Sequence, residues 1–110
     1  MRERTSTETL PGTLDLLIPK VLSRDSMHGY GIAQRLKGLS EDVLQVGESS
    51  LYPALQRLLL RGWVQSKWGV SDNNRRARYY RLTEVGRKQL ARERRDFDRL
   101  IVAIQRVLEA

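Results

Sequence analysis

The chain has 110 residues, 40% hydrophobic and 30% charged, which allows one small domain with its own core and is too short for two. It has no cysteine and one histidine, which excludes a disulfide framework, a thiolate metal site and a cysteine nucleophile. Twenty lysines and arginines against thirteen acids leave a net charge of +7, which favours a polyanionic partner; with no membrane-length apolar run and no secretion-signal core, a soluble cytoplasmic protein is expected.

Residues 1–11 are polar and read as a loose N-terminal arm. Thr13 is a good N-cap for a first helix over roughly 14–24, with Asp15 in its first turn. Leu14, Leu17, Ile18, Val21 and Leu22 share one face, and Leu16 and Pro19 lie opposite, so the helix is apolar nearly all round and needs two covers. In a chain this small the second cover is expected from a partner. Pro19 should kink or break the helix, because it removes a hydrogen bond. Ser23 to His28 reads as a connector. Gly29-Tyr30-Gly31 then opens a second helix, about 29–38, with Ile32, Ala33 and Leu36 inward and Gly38 as the stop. The alternation in Asp42-Val43-Leu44-Gln45-Val46 suits a short extended piece.

A third helix is expected over 49–61, capped by Ser49 or Ser50 and stopped by Gly62. Leu51, Ala54, Leu55, Leu58 and Leu59 form its inner face, while Ser49, Pro53, Gln56, Arg57 and Leu60 lie opposite, bordered by Ser50 and Tyr52. Two strands follow, Trp63–Trp68 and Arg78–Leu82, joined by a tip holding Gly69, Asn73, Asn74, Arg75 and Arg76. Thr83 caps a last helix over about 84–108, where Leu90, Phe97, Ile101, Ile104 and Leu108 form a stripe widened by Leu100 and Val107. That helix is longer than a small core can cover, so its distal half is expected to pack on a second protomer.

Residues 75–95 hold nine basic residues against Glu84 and Glu93, so the excess charge sits on the hairpin tip and the start of the last helix. Arg75, Arg76 and Arg78 suit phosphate or minor-groove contact. Gln56 could pair with adenine, Arg57 could reach guanine, phosphate or an acid of its own chain, and the hydroxyls of Ser49, Ser50 and Tyr52 could bond phosphate. The lone His28 is a cap or loop contact rather than a metal ligand, and Trp63 and Trp68 are expected to pack against the third helix. No acid, base and nucleophile grouping is present, so no enzyme is expected, and no cofactor or metal is implied.

A helix followed by a basic-tipped hairpin is the working half of a winged helix-turn-helix, so the expected class is mainly α with a two-stranded β-wing. Five stretches, in order, carry a closer resemblance: Gly12–Leu17, Met27–Ile32, Ser49–Leu55, Arg61–Trp63 and Arg75–Thr83. Together they resemble the PadR-like winged-helix transcriptional regulators, in the subgroup with a single C-terminal helix. The resemblance implies a DNA-binding domain over 12–83 and a dimerisation helix over 84–110. It implies a homodimeric repressor gripping a pseudo-palindromic operator through helix 49–61 and wing 69–78. On the matching positions, DNA contact falls to Ser49, Ser50, Tyr52, Pro53, Gln56, Arg57, Arg75, Arg76 and Arg78. Leu14, Ile18, Leu90, Phe97, Leu100, Ile101, Ile104 and Leu108 are expected at the dimer interface. Some members of the family also bind aromatic effectors at a tryptophan of the last helix, where this chain has only Phe97. The competing reading is a winged-helix module docking on an acidic protein or membrane surface without specific DNA binding.

Overall fold

The computed structural model describes residues 12–110, so the expected arm over 1–11 lies outside the described residues. The elements run α1 (Leu14–Val21), β1 (Met27–His28), α2 (Gly29–Leu39), α3 (Glu48–Leu60), β2 (Val64–Val70), β3 (Arg76–Leu82) and α4 (Glu84–Glu109). This is the winged α+β fold expected, with one correction: the sheet has three antiparallel strands, in the order β1-β3-β2. Met27 and His28, read as part of a connector, pair with Tyr80 and Tyr79. Two residues are too few to show an alternation, so only the partner strand reveals them as a strand.

α1 lies against α2, α3 and α4. Leu14, Ile18, Val21 and Leu22 meet Ile32, Leu36, Leu51, Ala54, Leu55, Leu58, Val64, Tyr80 and Leu82 in one core. Burying an apolar side chain of this size contributes about 1.5–3 kcal/mol, so this layer is the main source of stability. The α1 helix ends at Val21 rather than near residue 24, and Pro19 lies inside it without breaking it. In so short a helix Pro19 removes a single bond, the one its amide would give to the Asp15 carbonyl, and its ring is wholly buried by its own chain. The second side of α1 is thus covered in part by its own chain, through α4, while Leu16 and Leu17 stay half-buried. Thr13 makes no side-chain cap, because its backbone is already helical.

The stretch 42–46 is not a strand. Glu41 and Asp42 turn back with φ of 53° and 71°, and the Ser40 hydroxyl accepts the Leu44 amide at 2.9 Å. That side-chain bond replaces a ladder bond with a local one.

At the far side, Gly62 (φ 76°) ends α3 and turns the chain into β2. Thr83 then fastens β3 to α4. Its hydroxyl donates to the Gly62 carbonyl at 2.7 Å, lies 3.0 Å from the Trp63 carbonyl, and accepts the Gly86 amide at 3.0 Å. At about 1.5 Å per residue α4 is roughly 39 Å long. Beyond Leu90, only Ile101 is even half-buried. No helix among the described residues is long and apolar enough to cross a membrane.

Candidate nucleic-acid interface

α3 starts one residue earlier than expected, at Glu48, with Gly47 as an N-cap that offers no side chain. Ser49 and Ser50 therefore do not cap. They sit in the first turn, Ser49 exposed and Ser50 half-buried. Pro53 falls beyond that turn, so the Ser49 carbonyl has no amide four residues on to accept. Leu51, Ala54, Leu55 and Leu58 are buried, and the opposite face, Ser49, Pro53, Gln56 and Leu60, is open. Tyr52 leans off this face towards the start of α2. A carbon added at Gly29 would lie 2.7 Å from its hydroxyl, so a side chain at 29 would displace Tyr52.

The hairpin closes through Ser71. Its amide donates to the Arg75 carbonyl at 2.8 Å and its carbonyl accepts the Asn74 amide at 2.9 Å. Asn74 takes the left-handed turn conformation at φ 59°, which asparagine tolerates. In the β2–β3 register Trp68 stands opposite Arg78 and Val70 opposite Arg76. Strand alternation puts Ser66, Trp68, Arg76 and Arg78 on the face that Val64 and Tyr80 extend from the core.

Trp68 does not pack against α3 as expected. It is 57% exposed, and the Arg76 guanidinium lies 4.6 Å from its ring centroid. The parity with buried Val64 gives its face correctly, but the strand has already run past the end of the core. Trp63 is half-buried, with the Arg61 guanidinium 5.3 Å from its ring. Arg78 donates to the Ser66 hydroxyl at 2.9 and 3.1 Å and lies 5.8 Å from the Tyr80 ring. Burial pushes the Tyr80 phenol up, and Arg78 pulls it partly back. Between this face and the start of α2 lies an open cleft of about 940 Å³, rimmed by Tyr30, Tyr52, Trp68, Arg75, Arg76 and Arg78. Tyr30 and Trp68 are exposed aromatics outside the expected interface set; helix spacing could have shown Tyr30, whereas strand parity places Trp68 on the core face.

His28 acts as a cap, as expected: its Nδ1 accepts the Gly31 amide at 3.0 Å. No cluster of metal-ligating side chains occurs among the described residues. Of the partners open to Arg57, the structure shows an acid of its own chain. Arg57 makes a bidentate pair with Asp15 of α1, at 2.8 and 3.2 Å, and Asp15 also holds Arg61 at 2.9 Å. The hydrogen bond from Arg57 to Asp15 holds the guanidinium above its ordinary pKa.

The expected dimer residues divide in two. Leu14 and Ile18 are buried in their own core, Ile18 completely, so neither has surface to offer a partner. Leu90 is half-buried and packs on that core, and Ile101 is half-buried. Phe97, Leu100, Ile104 and Leu108 are exposed on α4. A groove of about 500 Å³ between α1 and α4 is lined by Leu16, Leu17, Leu90, Ala91 and Phe97, with Lys20, Arg87, Arg94 and Asp98 also at it.

The family model described as the transcriptional regulator PadR-like family matches residues 18–92. An uncharacterized protein from Lysinibacillus sphaericus is 31% identical over 85 residues, which cover 76% of this chain and 77% of that one. A transcriptional regulator from Clostridium thermocellum has the same fold, with a TM-score of 0.81 at 24% identity, over 90% of this chain and 96% of that one. Bacillus subtilis PadR, solved in complex with operator DNA, aligns at a TM-score of 0.63 and 23% identity, over 72% of this chain and 46% of that one. By its sequence match over residues 18–92, together with this fold, the chain belongs to the PadR-like family of transcriptional regulators.

Proposed function

We propose that the chain is a homodimeric repressor that binds a pseudo-palindromic operator. Residues 12–83 serve as the DNA-binding part and 84–110 as the dimerisation helix. The open face of α3, with Ser49, Ser50, Tyr52, Pro53 and Gln56, enters the major groove, and Arg75, Arg76 and Arg78 hold the backbone from the wing. Arg57 is left out of this set because Asp15 occupies it. Trp68 joins it as a stiff support beneath Arg76. Dimerisation falls to Phe97, Leu100, Ile104 and Leu108 of α4, with Leu16 and Leu17 as the α1 contribution in place of Leu14 and Ile18. An effector entering the groove between α1 and α4 would press on the element that joins the protomers, and so could release DNA.

One observation carries this reading. Among the described residues, none of Arg75, Arg76, Arg78 and Arg81 is paired with a carboxylate, although the chain has acids to spare. Three of them, Arg75, Arg76 and Arg78, rim the cleft beside the open helix face, and uncompensated guanidiniums there match a sugar-phosphate surface. Selection of bound duplexes from a random pool should return an inverted repeat with half-sites about one helical turn apart. Failure to bind any duplex at low salt would favour docking on an acidic protein or membrane surface instead.

A second test addresses the wing. The double variant Arg75→Ala/Arg76→Ala removes four guanidiniums from a dimer. With about 0.9 counterions per phosphate contact, the slope of log affinity against log salt should flatten by roughly 3–4. Affinity for operator and random DNA should fall alike, since these contacts carry no sequence information. Fluorescence anisotropy between 50 and 200 mM salt measures this, and an unchanged slope would remove the wing from the interface.

A further inference from the structure

The arginines of the wing and those of α3 are held in opposite ways. Wing arginines contact neutral groups: Arg76 the Trp68 ring, Arg78 the Ser66 hydroxyl and Arg81 the Gln65 amide. Arg57 and Arg61, one turn apart on α3, both end on the two oxygens of Asp15. The Asp15 side chain is only 14% exposed, while those of Arg57 and Arg61 are 44% and 45% exposed. Solvent therefore reaches both arginines, and any nearby polyanion could, but their charge is directed at a shielded carboxylate. On a helix wheel both lie on the α1 flank of the open face, next to Gln56, Pro53 and Leu60.

The bidentate, three-charge network ties α1 to α3, and it also fixes where both guanidinium charges point. We propose that Asp15 is a positioning residue of the DNA interface, which withholds Arg57 and Arg61 from phosphates and thereby keeps binding to unrelated sequences weak. The inference rests on the DNA-binding reading above. Affinity for random duplex grows with the number of phosphates neutralised, whatever the sequence. In an operator complex the base contacts fix the docking. In a random complex nothing does, and any free cation settles on the nearest phosphate. Two loose guanidiniums on the flank of α3 would therefore help the wrong complexes more than the right one, and a carboxylate brought over from α1 prevents this.

The test compares the full-length wild type, Asp15→Asn, Asp15→Glu, Arg57→Gln/Arg61→Gln and the triple Asp15→Asn/Arg57→Gln/Arg61→Gln. Each is titrated with random duplex and with an operator selected by the wild type, across a salt series. Asp15→Asn should bind random duplex about tenfold more tightly or better and steepen its salt slope by roughly 2–4, for one or two added phosphate contacts per protomer. The ratio of operator to random affinity should fall accordingly. Asp15→Glu keeps the charge and should keep the ratio. The triple variant should regain the wild-type ratio, because the freed charges are gone even though the tether is too.

A triple variant that stays unselective would mean Asp15 acts through the tilt of α3 and not through charge, which overturns the proposal. Arg57→Gln/Arg61→Gln gives a line that does not depend on the Asp15→Asn variant folding. Its salt slope should equal the wild-type slope, and a flatter one would show the two arginines on phosphate already. Wild-type protein that binds no duplex refutes the functional reading. Wild-type binding with an unaltered ratio in Asp15→Asn refutes only this inference.

Discussion

Leu100→Glu/Ile104→Glu on α4 should leave each chain folded, turn the dimer into monomers and weaken operator binding by about a thousandfold or more. Leu100 is 55% exposed and Ile104 43% exposed, and neither belongs to the core or packs against it. Their own chain therefore loses almost nothing when they become charged. A partner helix, by contrast, would have to bury a carboxylate against an apolar stripe, at a cost of several kcal/mol per ion. A dimer makes two half-site contacts for one loss of rotational and translational freedom, and a monomer has only one set of contacts. Sedimentation should give the wild type twice the chain mass of 12.7 kDa and the variant once, with identical far-ultraviolet circular dichroism. A wild type that sediments as a single chain at micromolar concentration would sink the dimeric reading. The wing could then still bind DNA, with far less discrimination.

The second large effect is on folding. Gly86→Ala should destabilise the chain by about 2–4 kcal/mol, the sum of an overpacked contact and a weakened helix cap. The added carbon would lie 2.6 Å from Leu82 Cδ1 and closer still to the Trp63 carbonyl oxygen. Both neighbours are fixed: Leu82 belongs to the core, and the Trp63 carbonyl already accepts the Thr83 amide at 2.9 Å. The start of α4 must back away, which breaks the bond from the Gly86 amide to the Thr83 hydroxyl. For a domain of this size the melting temperature should drop by roughly 10–20 °C. Gly38→Ala is the control, because a carbon there meets nothing within 4 Å. It should leave stability level or raise it by up to about 1 kcal/mol. Equal melting temperatures for the two variants would contradict the close approach at Gly86.

Features set by neighbours in the chain could be read from the residues. α2, α3, β2, β3 and α4 follow from hydrophobic spacing, and the caps at Thr83 and His28 and the stop at Gly62 follow from local hydrogen bonding and backbone freedom. Features set across the chain could not. β1 exists only because β3 offers it an edge. Asp15 and Arg57 are 42 residues apart, and nothing in either segment announces the pair. Ser49 and Ser50 have the side-chain chemistry of a cap, but Gly47 sits at the turn and Glu48 already supplies an acid in the first turn. Trp68 shows the limit of parity: alternation identifies the face of a strand but not where the core beneath that face ends.

The fastening at Thr83 also has a mechanical consequence. With the threonine bridging both sides of the bend and no room beside Gly86, there is no slack between the hairpin root and the rod that follows it. In a pair of protomers, a roll of one rod against its twin is geared directly to the hairpin. A seven-residue strand is about 23 Å long, so a 5° roll would sweep the arginine tip by roughly 2 Å. In the proposed dimer on DNA, that is enough to carry a guanidinium from hydrogen-bonding range of a phosphate to beyond it, so small adjustments far along the rods would set the grip of both tips together.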